Sequence, residues 1–228
     1  MVLVRSERLA STAKFTILMI SHALQRALYC RIMRYSADIT AGSLKVAESR
    51  IIADLLLREV DPEHWNLALR TENVLQARHP ATAIRLARLI RNRLLLMDAE
   101  LWTLVRDGSS TVASHALLAA AIKQSPLLGD FLDLVVQEQY RLFSPTLSKS
   151  VWDAYLDDCR GRDPEMPHWN DSTRKRLRSS VFQIITQAGF LENTRTLRLQ
   201  PVHIAAQVLQ YLHAHNEAYV LRCIQVSP

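Results

Sequence analysis

The sequence predicts a mainly α-helical fold, and three observations lead to that prediction. Apolar residues spaced three and four apart recur along most of the 228 residues, which is the period of amphipathic helices. Only 5 glycines occur, whereas the tight turns of a β-sandwich or barrel usually need more. Apolar residues make up 49% and charged residues 22%, a composition typical of soluble globular proteins and not of disordered ones.

The individual helices are predicted from their periodicity and from the signals at their ends. Proline in the first turn marks three helix starts, at Asp61-Pro62, His79-Pro80 and Ser125-Pro126. Asp107-Gly108 is a stop signal, and Gly189 ends a helix that Asp171-Ser172 caps. The main predicted helices are 43–59, 81–97, 99–106, 111–123, 126–143, 148–160, 173–188 and 201–215. Residues 196–200 alternate like a strand, and residues 218–226 fit either a strand or a last helix.

The composition becomes loop-like at residues 161–168, which hold two prolines and one glycine, and this segment is predicted to divide the chain. We expect a helical bundle over 33–160 and a smaller subdomain over 161–228. Residues 1–32 hold five basic residues and one acidic residue, so they carry +4 of the formal net charge of +6. They are interpreted as an appended extension or as a start site misplaced ahead of Met33. The apolar run 15–20 is too short for a membrane span.

Arginine dominates the basic residues, with 23 Arg and 5 Lys among the 28. The planar guanidinium matches phosphate oxygens, although a GC-rich genome explains the bias equally well. The 3 cysteines are odd in number and far apart in the sequence, which favours a reducing, cytoplasmic location over a disulfide framework.

A search for catalytic or metal-binding motifs is negative. The sequence holds no HExxH, CxxC, GxSxG or kinase signature. His213 and His215 point to different faces of a helix, and the adjacent Asp157 and Asp158 diverge in the same way. We therefore expect a protein that is not an enzyme and that needs no cofactor or metal.

The strongest candidate site is the polar face of helix 173–188, opposite its apolar positions. No acidic residue lies on that face, and Lys, Arg, Ser and Gln are side chains that bind phosphates and base edges. A short turn then leads to the predicted strand, the order of a recognition helix and wing in winged-helix proteins. A solvated helix face explains the pattern equally well. The candidate nucleic-acid-binding residues here are Arg174, Lys175, Arg176, Arg178, Ser179, Gln183, Arg195 and Arg198.

A second basic stripe lies on helix 81–97, where Arg85, Arg88 and Arg91 fall within an arc of about 120°. These arginines are further candidates for nucleic-acid binding. The alternative is that they pair with acids on neighbouring helices, such as Asp54, Asp98 or Glu100.

Four blocks of the sequence resemble the BrxA family of bacterial BREX (bacteriophage exclusion) systems, over about residues 34–225. The blocks run from RYSADITAGSL to RIIADLLL, from ENVLQ to RLIRNRL, from LLAAAIK to LLGDFL, and from WNDSTRK to AGFL. The resemblance implies a bundle akin to the antitermination factor NusB, a winged-helix-like C-terminal part, binding of double-stranded DNA, and work alongside a methyltransferase and ATPases. The alternative is a protein–protein adaptor without direct DNA contact, suggested by the acidic stretch 153–171 and by the tryptophans.

Overall fold

The computed structural model describes residues 35–41 and 43–227, and most of them are helical. The predicted extension, residues 1–32, lies outside the described residues. A short 3₁₀ turn, Asp38–Ala41, precedes the first α-helix. The elements that follow are α1 (Val46–Leu57), α2 (Pro62–Arg70), α3 (Pro80–Leu94), α4 (Ala99–Asp107), α5 (Ser110–Gln124), α6 (Pro126–Asp130), a π-helix (Phe131–Val136), α7 (Gln137–Arg141), α8 (Lys149–Arg162), α9 (Asp171–Gln187), α10 (Ala206–Ala214) and α11 (Ala218–Ile224). The mainly helical fold class is confirmed.

The helix starts follow the local signals in the sequence. Prolines open α2, α3 and α6, as predicted. The Asp61 carboxylate accepts hydrogen bonds from the backbone N–H groups of Glu63 (2.9 Å) and His64 (3.0 Å), which satisfies two of the N–H groups that a helix start leaves unpaired. The predicted cap of α9 is wrong by one residue, because the Asn170 side chain accepts from the Thr173 N–H at 2.9 Å.

The helix at the centre of the fold is α5, which is buried on every side from Val112 to Ile122. It packs against α1, α3, α4, α6, α9, α10 and α11. Five of its buried residues are alanines, and such small side chains let neighbouring helices approach closely. A helix that is apolar all round is expected to lie in a core.

A π-helical segment interrupts the long helix between Pro126 and Arg141, which the sequence predicts only as one continuous helix. Its Phe131 ring packs against Trp152 and Tyr155 of α8 at centroid distances of 5.1 and 5.2 Å. Asp133 of the same segment is buried and pairs with Arg222 of α11 at 3.0 Å. The π-helical segment therefore lies where α8 and α11 meet the core. Such segments are uncommon, and they change the direction of the side chains that follow.

The predicted strand 196–200 is wrong as a regular strand. Leu197 has a φ of +50°, a left-handed conformation that interrupts an extended chain. Only two isolated antiparallel bridges form in the described chain, Leu191 with Leu199 and Thr146 with Arg198. The backbone of Leu147 donates to the Leu197 carbonyl at 2.8 Å. A compact turn, held by the segment before α8, stands where a strand was expected.

The C-terminal helices are also corrected. The helix predicted over 201–215 begins only at Ala206, and the ambiguous segment 218–226 is the helix α11. One buried cluster runs from Tyr35 to Val226 and crosses the expected boundary near residue 161, so the division into two subdomains stays a prediction. Among the described helices, none combines the length and the apolarity that a bilayer span requires.

Candidate nucleic-acid interface

Helix α9 separates its apolar and polar residues as its periodicity predicts. Its buried side packs Leu177, Val181, Ile184 and Ile185 into the core. The opposite side exposes four of the candidate residues, and we name them the α9 surface: Lys175, Arg176, Ser179 and Gln183. Among the described residues, no carboxylate lies within ion-pair distance of Lys175 or Arg176. The two cations are therefore open to an anionic partner.

Two other candidates on α9 are engaged within the protein. Arg174 pairs with Asp157 at 3.3 Å and with Asp153 at 3.8 Å, and Arg178 pairs with Asp153 at 3.5 Å. Their side chains are only 20% and 24% exposed. The expectation of a carboxylate-free face therefore holds only from Thr173 to Gln187. The exposed Asp171 lies in the first turn of α9, and α8 supplies two further acids to the edge of that face.

The turn after α9 presents Arg195 and Arg198, which are both exposed. The Asn193 side chain accepts hydrogen bonds from the backbone N–H groups of Arg195 and Thr196, both at 2.9 Å, and thereby fixes the turn. Glu192 donates its N–H to the Arg198 carbonyl at 2.9 Å. Within the described chain neither arginine has an ion-pair partner, so the turn adds two open cations after α9.

The α3 arginines (Arg85, Arg88 and Arg91) are exposed, and the acids predicted to pair with them have other partners. Asp54 pairs with Arg58 and Arg106, and Asp98 and Glu100 pair with His215. The guanidinium of Arg91 instead lies over the Trp65 ring, 5.5 Å from its centroid.

The structure does not bring all the candidates into one groove. Arg88 and Arg91 line a groove among α1, α2 and α3, and no residue of α9 takes part in its lining. Ser180, which the periodicity places at the edge of the polar face of α9, is buried. Two basic surfaces therefore result, one on α9 with the following turn and one on α3.

The sequence also leaves three features unrecognised. Arg93, in the last turn of α3, is 2% exposed and donates to the Gln124 side chain at 3.0 Å. Burial lowers the pKa of Arg93 to about 10. Phe143 is 92% exposed with a φ of +52°. The pairing of Asp153 with α9 is a contact between helices, which no pattern within one helix reveals.

The two cysteines of the described chain, Cys159 and Cys223, are buried free thiols. Burial raises the pKa of Cys159 to about 11 and raises that of Cys223 as well, so both thiols are held protonated. No group of three or more His, Cys, Asp or Glu side chains in the described ranges is arranged to hold a metal ion.

Comparisons with known proteins agree with the resemblance in the sequence. The BrxA family model matches residues 33–216. A relative named BREX protein BrxA from Paramagnetospirillum magneticum is 55% identical over 194 residues, which cover 85% of this chain and 98% of the relative. A second BREX protein BrxA, from Escherichia coli O9:H4, is 33% identical over 178 residues, covering 77% and 84%.

A solved structure also matches. The crystal structure of an uncharacterized protein from Magnetospirillum magneticum superposes with a TM-score of 0.79 and 52% sequence identity, covering 86% of this chain and 100% of that chain. The family model spans most of the described residues, and two relatives exceed 30% identity over more than two thirds of the chain. The chain therefore belongs to the BrxA family of BREX proteins.

Proposed function

We propose that this protein is a non-catalytic accessory component of a BREX anti-phage defence system that binds double-stranded DNA in the cytoplasm. The observation that carries the proposal is the α9 surface, whose exposed Lys175 and Arg176 have no carboxylate partner among the described residues. The buried, protonated thiols of Cys159 and Cys223 are consistent with a reducing compartment and a non-catalytic role.

The α9 surface matches the dimensions and the chemistry of duplex DNA. A helix of 17 residues is about 25 Å long and fits a major groove. Lys175 and Arg176 supply charge to phosphates, whereas Ser179 and Gln183 can hydrogen-bond to phosphate oxygens or base edges. Asp171 stands at the first turn of α9, so we place the phosphate contacts one turn further along the helix.

We also infer that α9 and the turn after it act as a recognition helix and wing. The support is their order in the chain, the antiparallel bridge between Leu191 and Leu199, and the exposure of Arg195 and Arg198 at that turn. A NusB-like arrangement of the helices from 33 to 160, and cooperation with a methyltransferase and an ATPase, rest on the family resemblance and belong to this proposal.

The test is fluorescence anisotropy with a labelled duplex of about 20 base pairs, titrated at several salt concentrations. The double variant K175E/R176E should bind at least about tenfold more weakly than the wild type. The plot of log affinity against log salt should become less steep by about 2, since two phosphate contacts are lost and each contributes roughly 0.9 to the slope.

The matched control is R70E/R78E, which reverses two exposed arginines of the bundle and changes the net charge by the same amount. It should keep the wild-type salt slope, and circular dichroism should show that both variants are folded. Equal losses in the two variants would mean that only net charge matters, and the assigned surface would be wrong. Single-stranded DNA and RNA of the same length test the preference for duplex.

A further inference from the structure

The groove among α1, α2 and α3 combines an apolar wall with basic side chains. It has a volume of about 500 Å³, within the range of sites that enclose a small ligand or an anchoring side chain. Leu55 and Leu56 of α1, Leu69 of α2 and Ile84 of α3 form part of its wall.

Trp65 gives the groove a fixed aromatic side. The Arg91 guanidinium lies 5.5 Å from the centroid of its ring, and the backbone N–H of Trp65 donates to the Asp61 carbonyl at 2.9 Å. The cation–π contact restrains both side chains. The contact therefore orders two of the side chains that line the groove, which lowers the ordering cost of binding.

The groove carries a net positive charge. Arg88 and Arg91 both line it, and Glu59 is the one acidic residue in its lining. Nearby acids are occupied elsewhere: Asp54 pairs with Arg58 and Arg106, and Asp61 caps α2. An occupant with carboxylates would supply the partners that Arg88 and Arg91 lack within the described chain.

We propose that this groove binds an acidic amphipathic peptide segment of a partner protein, with leucine or aromatic side chains against the wall and Glu or Asp side chains on Arg88 and Arg91. Duplex DNA would satisfy the arginines, but its backbone offers nothing to bury against the partly exposed Leu56, Trp65 and Ile84. A peptide with both kinds of side chain satisfies both parts of the groove. This proposal does not depend on DNA binding by the α9 surface.

The experiment uses fluorescein-labelled peptides of about 12 residues and measures their anisotropy with the full chain. One peptide has Leu and Phe at helical spacing and Glu or Asp elsewhere. A second replaces the acids with Lys, and a third replaces Leu and Phe with Ser. The first should bind at least about tenfold more tightly than the other two, because only it offers both apolar and acidic groups.

The variant R88E/R91E should weaken binding of the first peptide at least about tenfold. R78E/R85E gives the matched control, because both arginines are exposed, neither lines the groove, and the net charge changes by the same amount; it should have little effect. K175E/R176E should bind the peptide normally, so the two surfaces are tested separately.

Three results would overturn the proposal. The first is equal affinity for the acidic peptide and its two counterparts. The second is a loss in R78E/R85E as large as in R88E/R91E, which would indicate general electrostatic attraction. The third is loss of duplex binding in R88E/R91E with unchanged peptide binding, which would assign the α3 arginines to DNA.

Discussion

Lowering the pH below about 6.5 should destabilise the folded protein through His115, a buried residue at the centre of α5. Its Nδ1 accepts a hydrogen bond from the Ala205 N–H at 3.0 Å, and its Nε2 lies 3.3 Å from the Ala188 carbonyl oxygen. This pairing requires the neutral ring with its proton on Nε2. A second proton on Nδ1 would face the Ala205 N–H and break that bond.

The sign follows from burial, which lowers the pKa of His115 below its ordinary value of 6.5. The unfolded chain takes up a proton below pH 6.5 while the folded chain does not, so the free energy of unfolding falls as the pH decreases. Between pH 7.5 and 5.5 the loss approaches about 1.4 kcal/mol if the folded ring remains neutral, since one pH unit beyond the unfolded pKa contributes about 1.36 kcal/mol.

The assay is urea unfolding followed by circular dichroism at pH 7.5 and 5.5, on the wild type and on His115→Gln. Glutamine cannot titrate, but its amide oxygen can still accept from the Ala205 N–H. Every other titrating group is shared by the two proteins, so their contributions cancel in the difference. The wild type should lose up to about 1.4 kcal/mol more than the variant. The same pH dependence in both proteins would refute the assignment of a neutral, buried imidazole.

Three further outcomes are expected. Asp61→Ala removes the cap of α2 and should lower the free energy of unfolding by about 1 kcal/mol in urea titrations; an unchanged midpoint would contradict the capping role. Gly129→Ala places a Cβ 2.4 Å from the Tyr219 hydroxyl and should cost about 1–3 kcal/mol by overpacking, whereas the same change at exposed Gly161, with open space around it, should not destabilise. Asp153→Asn removes an ion-pair partner shared by Arg174 and Arg178. On the proposed function, this change should raise duplex affinity by about threefold or more at low salt. Lower affinity would show instead that Asp153 positions these two arginines for binding.

Local chemistry made much of the fold predictable. Asp61-Pro62, His79-Pro80 and Ser125-Pro126 each begin a helix where the cap and proline patterns indicate. These signals act within a few residues and do not depend on what packs nearby. The π-helix at Phe131–Val136 has no such signal, because it depends on how α8 and α11 pack around it.

The same distinction applies to the candidate site. The exposure of Lys175 and Arg176 follows from the period of one helix, and the structure agrees. The pairing of Arg174 and Arg178 with acids of α8 depends on the packing of two helices. The burial of Arg93 depends on contacts with Gln124 of α5 and with the Ser43 carbonyl before α1. Residues 196–200 alternate like a strand, but Leu197 turns into the left-handed region to reach the core.

The all-round burial of α5 restricts how its sequence can vary. A surface helix can change its outer residues without disturbing its neighbours, but α5 has no outer residues between Val112 and Ile122. Enlarging Ala116, Ala119 or Ala120 would push against whichever helix lies over that position. Variation between related proteins should therefore be compensated across helix pairs, with a larger residue on α5 matched by a smaller one opposite.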